Sequence, residues 1–270
     1  MVWIGYRIEI GLSYPWSWES IPQYLIRFDP EEGWVSNFLL DGLIATIKLS
    51  IWSLLLAMPI GLAVGLLRVS SHLFNRLTGG FYVGLLRNLP PLVLILIFYF
   101  FISDQIMPMI GLADIVGTAS PLVQEVMTLL LAPVAQIEAF IAAIVTLALF
   151  EGAYIAEIVR AGIESIDSGQ WQAGRALGLK RWQMMRTIIL PQAYRQMIPP
   201  LAGQTISTIK DSAIVSVISI QELTFQAMEL MAATYLTFEI WISVAVLYFI
   251  LTWSCSMLAR LLERKCRYEF

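Results

Sequence analysis

Residues 242–253 read ISVAVLYFILTW and residues 92–101 read LVLILIFYFF, two runs with no charged side chain and no alternation of apolar and polar positions. A membrane-spanning β-strand would alternate over about ten residues, whereas a spanning helix needs about 20 mostly apolar ones. Extended to their neighbours, the runs lie in stretches of that length, 236–259 and 84–103, and three more occur at 39–67, 138–159 and 198–220. The sequence predicts an all-α polytopic membrane protein with about five transmembrane helices, each satisfying its own backbone hydrogen bonds within lipid.

Composition agrees. Of 270 residues, 58% are hydrophobic and 14% charged, against roughly 45–50% and 25% in soluble domains. A soluble chain of this size still exposes about a quarter of its unfolded surface, so this much apolar area requires lipid. The net charge of -3 argues against a nucleic-acid partner, which usually demands a basic patch. Cys255 and Cys266 cannot build a disulfide framework, and the single His72 cannot build a histidine metal centre. The N-terminus lacks the basic start and short apolar run of a secretory signal. Its Trp3, Trp16, Trp18 and Trp34 suit a membrane interface.

Cations give the orientation, because short loops rich in Lys and Arg stay cytoplasmic. Thirteen of the 17 lie in three regions: Arg68, Arg76 and Arg87; six between Arg160 and Arg195; and Arg260, Arg264, Lys265 and Arg267. The alternating regions are acidic or free of cations: 1–41 holds Arg7 and Arg27 against six acids, while 103–138 and 221–239 hold no Lys or Arg. The N-terminus is expected outside and the C-terminus inside. Residues 1–38 then form an outer or interfacial segment, 39–262 the membrane domain and 263–270 a cytoplasmic tail. The membrane domain includes a long outer loop, 104–137, in which LVQEVMTLLLAPV is too short to span and suits a surface helix. Lys48, within the first span, has no evident neutralising partner in the chain, which leaves one on another subunit open.

Between the third and fourth spans, 161–197 is too polar for lipid and too patterned for a linker. Ala173, Ala176, Leu177, Leu179, Trp182 and Met185 recur at helical spacing, interrupted by Gly178 and stopped at Pro191. That implies a short helix, a bend and a second helix. It reads either as a solvated amphipathic loop or as a docking element for a soluble partner.

The run Gln172, Ala173, Gly174, followed by Gly178 and by Ile188, Leu190 and Pro191, resembles the coupling loop of ABC importer permeases. More narrowly, EGAYIAEIVRAGIESIDSGQWQAGRALGLKRWQMMRTIILPQAYRQMIPPL at 151–201, RNLPPLVLILIFYFF at 87–101 and TIKDSAIVSVIS at 208–219 resemble the polar amino acid uptake family. The resemblance covers about 40–262 and implies a type I importer fold. It also implies pairing with a second homologous or identical permease subunit, two cytoplasmic ATP-binding subunits carrying ATP and Mg, and a periplasmic or extracellular amino acid-binding protein. The place implied is the bacterial cytoplasmic (inner) membrane. Two features depart from the family pattern: Gln172 stands where Glu is common, which removes a charge-assisted contact, and the outer loop is long. No GxxxxGK[ST] phosphate loop occurs, so the chain is not expected to be an enzyme, and no cofactor of its own is expected. The coupling residues so implied are Trp171, Gln172, Ala173, Gly174, Leu177, Gly178, Leu179 and Trp182.

Polar groups within spans are expensive and by default functional. Glu151 lies near the middle of the third span, with Tyr154 on the same face. Arg87 and Asn88 open the second beside Pro90 and Pro91, and Gln204, Thr208 and Asp211 fall on neighbouring positions of the fourth with Lys210 adjacent. An amino-acid zwitterion needs a cation or donors for its carboxylate and an acceptor for its ammonium, and Arg87 and Glu151 offer one of each. Structural roles stand beside these: Arg87 and Arg160 as snorkelling anchors, Lys210 and Asp211 as partners of other helices, Glu157 as a structural group rather than a ligand. A stand-alone secondary transporter or channel would predict broken spans in matching halves, and an intramembrane enzyme a catalytic cluster that is missing.

Overall fold

The computed structural model describes residues 14–268 other than Glu32, with side chains described as far as Leu261 and without that of Ala113. Trp3, Arg7, Cys266, Arg264, Lys265 and Arg267 fall outside the described residues or side chains.

A short helix, α1 (Ile21–Leu25), leads into an antiparallel hairpin of β1 (Ile26–Asp29) and β2 (Gly33–Ser36) with Phe28 opposite Trp34. Next come α2 (Phe38–Arg68), α3 (Leu73–Asn88), α4 (Pro91–Ile110), α5 (Leu112–Gly117), α6 (Pro121–Leu130) and α7 (Ile137–Glu164). The remainder is α8 (Ser168–Ala176), α9 (Arg181–Ile218), α10 (Leu223–Thr234) and α11 (Thr237–Tyr268). Among the described residues four helices, α2, α4, α7 and α11, are long and apolar enough to cross a membrane, and α9 with α10, bent by 49° at the break between them, makes a fifth if the pair is one span.

The second span begins at Pro91 rather than at 84. Leu89 is forced extended by the proline after it (ψ 150°), so the helix breaks and α3 becomes a separate element packed on the end of α2. At its far end α4 runs to Ile110, and α5 and α6 fill much of the expected outer loop. Pro191 does not stop a helix. It follows a wide π turn, Met185–Ile189, at the start of the regular helix Leu190–Asp211, where a missing N–H is tolerated, and the chain continues as one element into the membrane.

The axis of the fold is α7, 72% of whose most apolar window is buried, against 6% for α11. On α2 a stripe of small residues four apart, Ser53, Ala57, Gly61 and Gly65, lets the two helices touch: Ser53 Oγ donates to the Ile144 carbonyl at 3.3 Å, Gly61 abuts Gly152 and Ile155, and Gly65 abuts Ala156 and Val159. Residue numbers rise together along both helices, so α2 and α7 run parallel. Lipid offers no hydrophobic drive for such a pair, and close van der Waals contact across small side chains replaces it.

A second junction is made by Glu222. Read from sequence as part of an outer acidic segment, it is fully buried, and as N-cap of α10 it accepts from Thr224 N and Phe225 N at 2.9 Å each. It also accepts from Tyr248 Oη at 2.9 Å and Thr46 Oγ1 at 3.4 Å, which ties α2, α10 and α11 together. Glu239 is likewise buried and accepts from Tyr14 Oη at 2.6 Å and Ser17 N at 2.8 Å. Trp16 and Trp18 stack beside that anchor at 5.7 Å, and with Trp34 they are exposed, as interface tryptophans should be.

Candidate functional site

Two places gather the residues singled out in the sequence. In the first, Glu151 of α7 is fully buried, and Gln204 of α9 donates Nε2–H to its Oε2 at 2.6 Å. Gln204, Thr208 and Asp211 fall at i, i+4 and i+7 on one face of α9, and both Thr208 and Asp211 lie against Glu151. The other carboxyl oxygen, Oε1, is buried without a hydrogen-bond partner. A polar atom desolvated in this way is costly unless something else completes it. Tyr154, one turn along α7, is half-buried within electrostatic reach of both Glu151 and Asp211. The Arg87 guanidinium lies over its ring at 5.4 Å. Tyr154 therefore links two carboxyl groups and a cation.

Not every expected member joins it. Asn88 Nδ2 donates to the Gly84 carbonyl at 2.7 Å on its own helix and is exposed. Lys210 neighbours Asp211 but is exposed in a groove between α9 and α11, beside Phe249, Trp253 and Arg260. Arg87 is shared: its Nη1 also lies 3.6 Å from Glu157 Oε2. Glu157 pairs in addition with Arg68 and Arg160, so this carboxylate clamps the ends of α2, α3 and α7. Glu157 thus has a structural role, and Arg160, expected as a snorkelling anchor, is one of its ion-pair partners.

The second place is α8. Asp167 caps its start, accepting from Gly169 N at 2.7 Å. Its end closes through two bonds, Gly178 N to the Arg175 carbonyl at 3.0 Å and Leu179 N to the Gly174 carbonyl at 3.1 Å. That is the Schellman arrangement, which requires a left-handed residue at Gly178, whose φ is +72°. Short helices are marginal alone, and capping at both ends holds this one in shape. Gly174 is buried against Met184, whose Sδ would lie 2.6 Å from any added Cβ, so the missing methyl is what lets α8 pack on the start of α9.

Packing separates the expected contact residues. Trp171 is half-buried, packed into the bundle with Arg181 over its ring at 5.5 Å. Leu179 is half-buried. Gln172 and Ala173 are exposed, and the apolar Leu177 and Trp182 are 76% and 68% exposed. Arg181 Nη2 donates to the Val69 carbonyl at 2.6 Å, which fixes the start of α9, with Trp182, beside the C-terminal end of α2.

Lys48 finds its partner within the chain. Its Nζ donates to the Thr128 carbonyl at 3.0 Å, and Trp52 Nε1 donates to the Leu130 carbonyl at 2.9 Å. Both carbonyls belong to the last turn of α6, where acceptors lack intrahelical donors and the helix dipole favours a cation. The i, i+4 pair on α2 therefore caps a helix of the outer loop, a partnership that sequence separation conceals.

Residues 57–268, which include both places, match the family described as "Binding-protein-dependent transport system inner membrane component". The chain belongs to that family. It is an ABC importer permease, a multi-pass protein of the inner membrane. The permease is 39% identical over 233 residues to the glutamine transport system permease protein GlnP of Escherichia coli (strain K12), covering 83% of this chain and 93% of that one. It is 31% identical over 243 residues to a putative glutamine transport system permease protein GlnP of Rickettsia typhi, covering 90% and 97%. Among solved structures, an amino acid ABC transporter with histidines superposes with a TM-score of 0.70 at 32% identity, covering 93% of the permease and 100% of that chain. The MetNI methionine ABC transporter in inward-facing form shares the fold, with a TM-score of 0.65 at 20% identity over 85% and 96%.

Proposed function

We propose that the permease moves polar amino acids inward by alternating access, driven by two ATP-binding subunits that hold ATP and Mg and dock on its cytoplasmic surface. A second permease copy or homologue completes the membrane pore, and a binding protein delivers substrate to the opposite side. In this reading the N-terminus is outside, the C-terminus inside, and Glu151, Tyr154, Gln204, Thr208, Asp211 and Arg87 line the path. Relatives that carry glutamine and a structural neighbour that carries amino acids support the substrate class.

The observation that carries the ATP-driven reading is the exposure of two apolar side chains, Leu177 at the end of the doubly capped α8 and Trp182 in the first turn of α9. Nothing in the fold of the bundle requires those side chains to face water. A closing ATPase pair that grips α8 transmits its motion through the Gly174–Met184 contact into α9, which bears half of the polar cluster. Only a difference in how the two membrane states meet the ATPases lets hydrolysis bias the equilibrium.

Two tests bear on it. Changing Leu177→Asp together with Trp182→Asp should leave the yield of folded permease unchanged, because both side chains are exposed. Copurification of the ATPase should fall at least tenfold, since a buried anchor of this kind contributes about 2 kcal/mol or more. Retention of the ATPase at the wild-type level would sink the docking role. Gly178→Val acts differently: a β-branched residue resists the left-handed conformation by about 1–2 kcal/mol, so the end of α8 frays. The complex should then assemble and hydrolyse ATP with reduced uptake per ATP, and an unchanged ratio would count against coupling through α8.

A further inference from the structure

At the end of α2 remote from the coupling helix lies a cavity of about 550 Å³, within the size range of small-molecule pockets. Arg27 of β1, Asp41 and Lys48 of α2 and Gln226 of α10 line it, with Ile44 and Phe140 as apolar wall. Lys48 precedes Gly61, which touches Gly152 beside Glu151, by 13 residues. At 1.5 Å per residue the cavity is separated from the central polar cluster by about 20 Å along the helix.

Gln226 is the observation that needs an explanation. It is 7% exposed, and its Oε1 is buried with no hydrogen-bond partner. An orphaned amide oxygen in a protein interior is destabilising, and this one belongs to a side chain that lines the cavity. The cavity offers further capacity of both signs. Asp41 Oδ1 is engaged by Ser36 Oγ, which leaves Oδ2. Lys48 commits one of three ammonium protons to Thr128 O, and a guanidinium such as that of Arg27 carries five donors. Two cations favour a carboxylate. A carboxylate and an amide oxygen disfavour a simple anion and favour an ammonium.

We propose that this cavity is a second amino-acid site. The ligand's α-carboxylate meets Arg27 and Lys48, its α-ammonium meets Asp41 and draws the Gln226 amide to turn its buried Oε1 into the cavity, and its side chain lies along Ile44 and Phe140. Substrate released at this end of the bundle is thereby held before it reaches the centre. The proposal rests on the reading of the chain as an amino acid permease and adds a site to it.

Equilibrium binding to the complete transporter in lipid nanodiscs, without the binding protein, tests it with labelled L-glutamine, L-glutamate and L-arginine as separate probes. At least one probe should fill two sites per permease chain. Gln226→Leu and, independently, Asp41→Asn should weaken one of them at least tenfold and spare the other, which Glu151→Gln weakens instead. Asp41→Asn carries the test if Gln226→Leu does not fold. A single site for every probe, or two sites that neither outer variant alters, overturns the proposal. An unaltered pair in Glu151→Gln, with one site lost in the outer variants, would instead refute the central role of Glu151 and leave the outer site standing.

Discussion

Replacing Gly61 with leucine is expected to abolish most of the folded permease. A Cβ at Gly61 would sit 2.4 Å from Ile155 Cγ2 and 3.0 Å from the Gly152 carbonyl oxygen, and one turn on, a Cβ at Gly65 would sit 2.6 Å from Val159 Cβ. Ile155 is itself buried, and the carbonyl belongs to helix backbone, so neither can yield without moving α7. Overpacking a core commonly costs about 1–3 kcal/mol and at times more. Here the upper end applies, because the α2–α7 contact is the axis on which α3, α4 and α9 pack. The only compensation in lipid would be new van der Waals contact, which a pair forced apart cannot supply. Size-exclusion profiles of detergent-solubilised protein and its thermal midpoint read the effect. Gly80→Leu is the control, since a Cβ there meets nothing within 4 Å. A Gly61→Leu variant with the wild-type midpoint would refute close contact as the source of stability.

The same stripe shows what the sequence disclosed and what it concealed. The apolar runs at 92–101 and 242–253 suffice for a helical membrane protein, because hydrophobicity sustained over a bilayer's thickness without alternation suits a helix surrounded by lipid. Ser53, Ala57, Gly61 and Gly65 did not stand out in the sequence, because a stripe of small residues names no partner until α7 lies against it. Span edges at Pro90 and Pro91 are chemical signals that hydropathy averages away, hence the shift from 84 to 91. Pro191 misled for the opposite reason: a proline stops a regular helix, and the π turn before it makes the backbone irregular where the proline falls.

Partnerships across long sequence distances were the illegible part. Lys48 with Thr128, Glu222 with Thr46 and Tyr248, and Arg68 with Glu157 lie 80, 176, 26 and 89 residues apart, and nothing local predicts them. Glu151 and Gln204, 53 apart, are an exception of a kind. Each was suspect alone as a polar group in an apolar span, and the fold made them neighbours. Asp167 before Ser168 and Gly169, by contrast, was a local capping signal open to reading.

Glu151→Gln is expected to cut amino acid uptake by one to two orders of magnitude while leaving the protein folded. Fold survives because the substituted amide keeps an oxygen to accept from Gln204 Nε2, now at 2.6 Å from Oε2, and keeps the side-chain volume. What disappears is the carboxyl's capacity to present a negative charge to a ligand ammonium at Oε1, the buried oxygen that no protein donor satisfies. A hydrogen bond to a charged group contributes about 1.5–3 kcal/mol, which corresponds to roughly a 10- to 150-fold change in affinity. Uptake into proteoliposomes, with thermal midpoint and binding-protein-stimulated ATP hydrolysis measured alongside, separates the outcomes. A fall in uptake with both controls intact places the loss in the path; wild-type uptake would remove Glu151 from it. The charge also fixes which part of the substrate is sensed. If Oε1 receives the α-ammonium, Glu151→Gln should weaken every α-amino acid by a similar factor whatever its side chain. Selectivity among them would then reside in the residues around the ligand's other end and in the protein that delivers it.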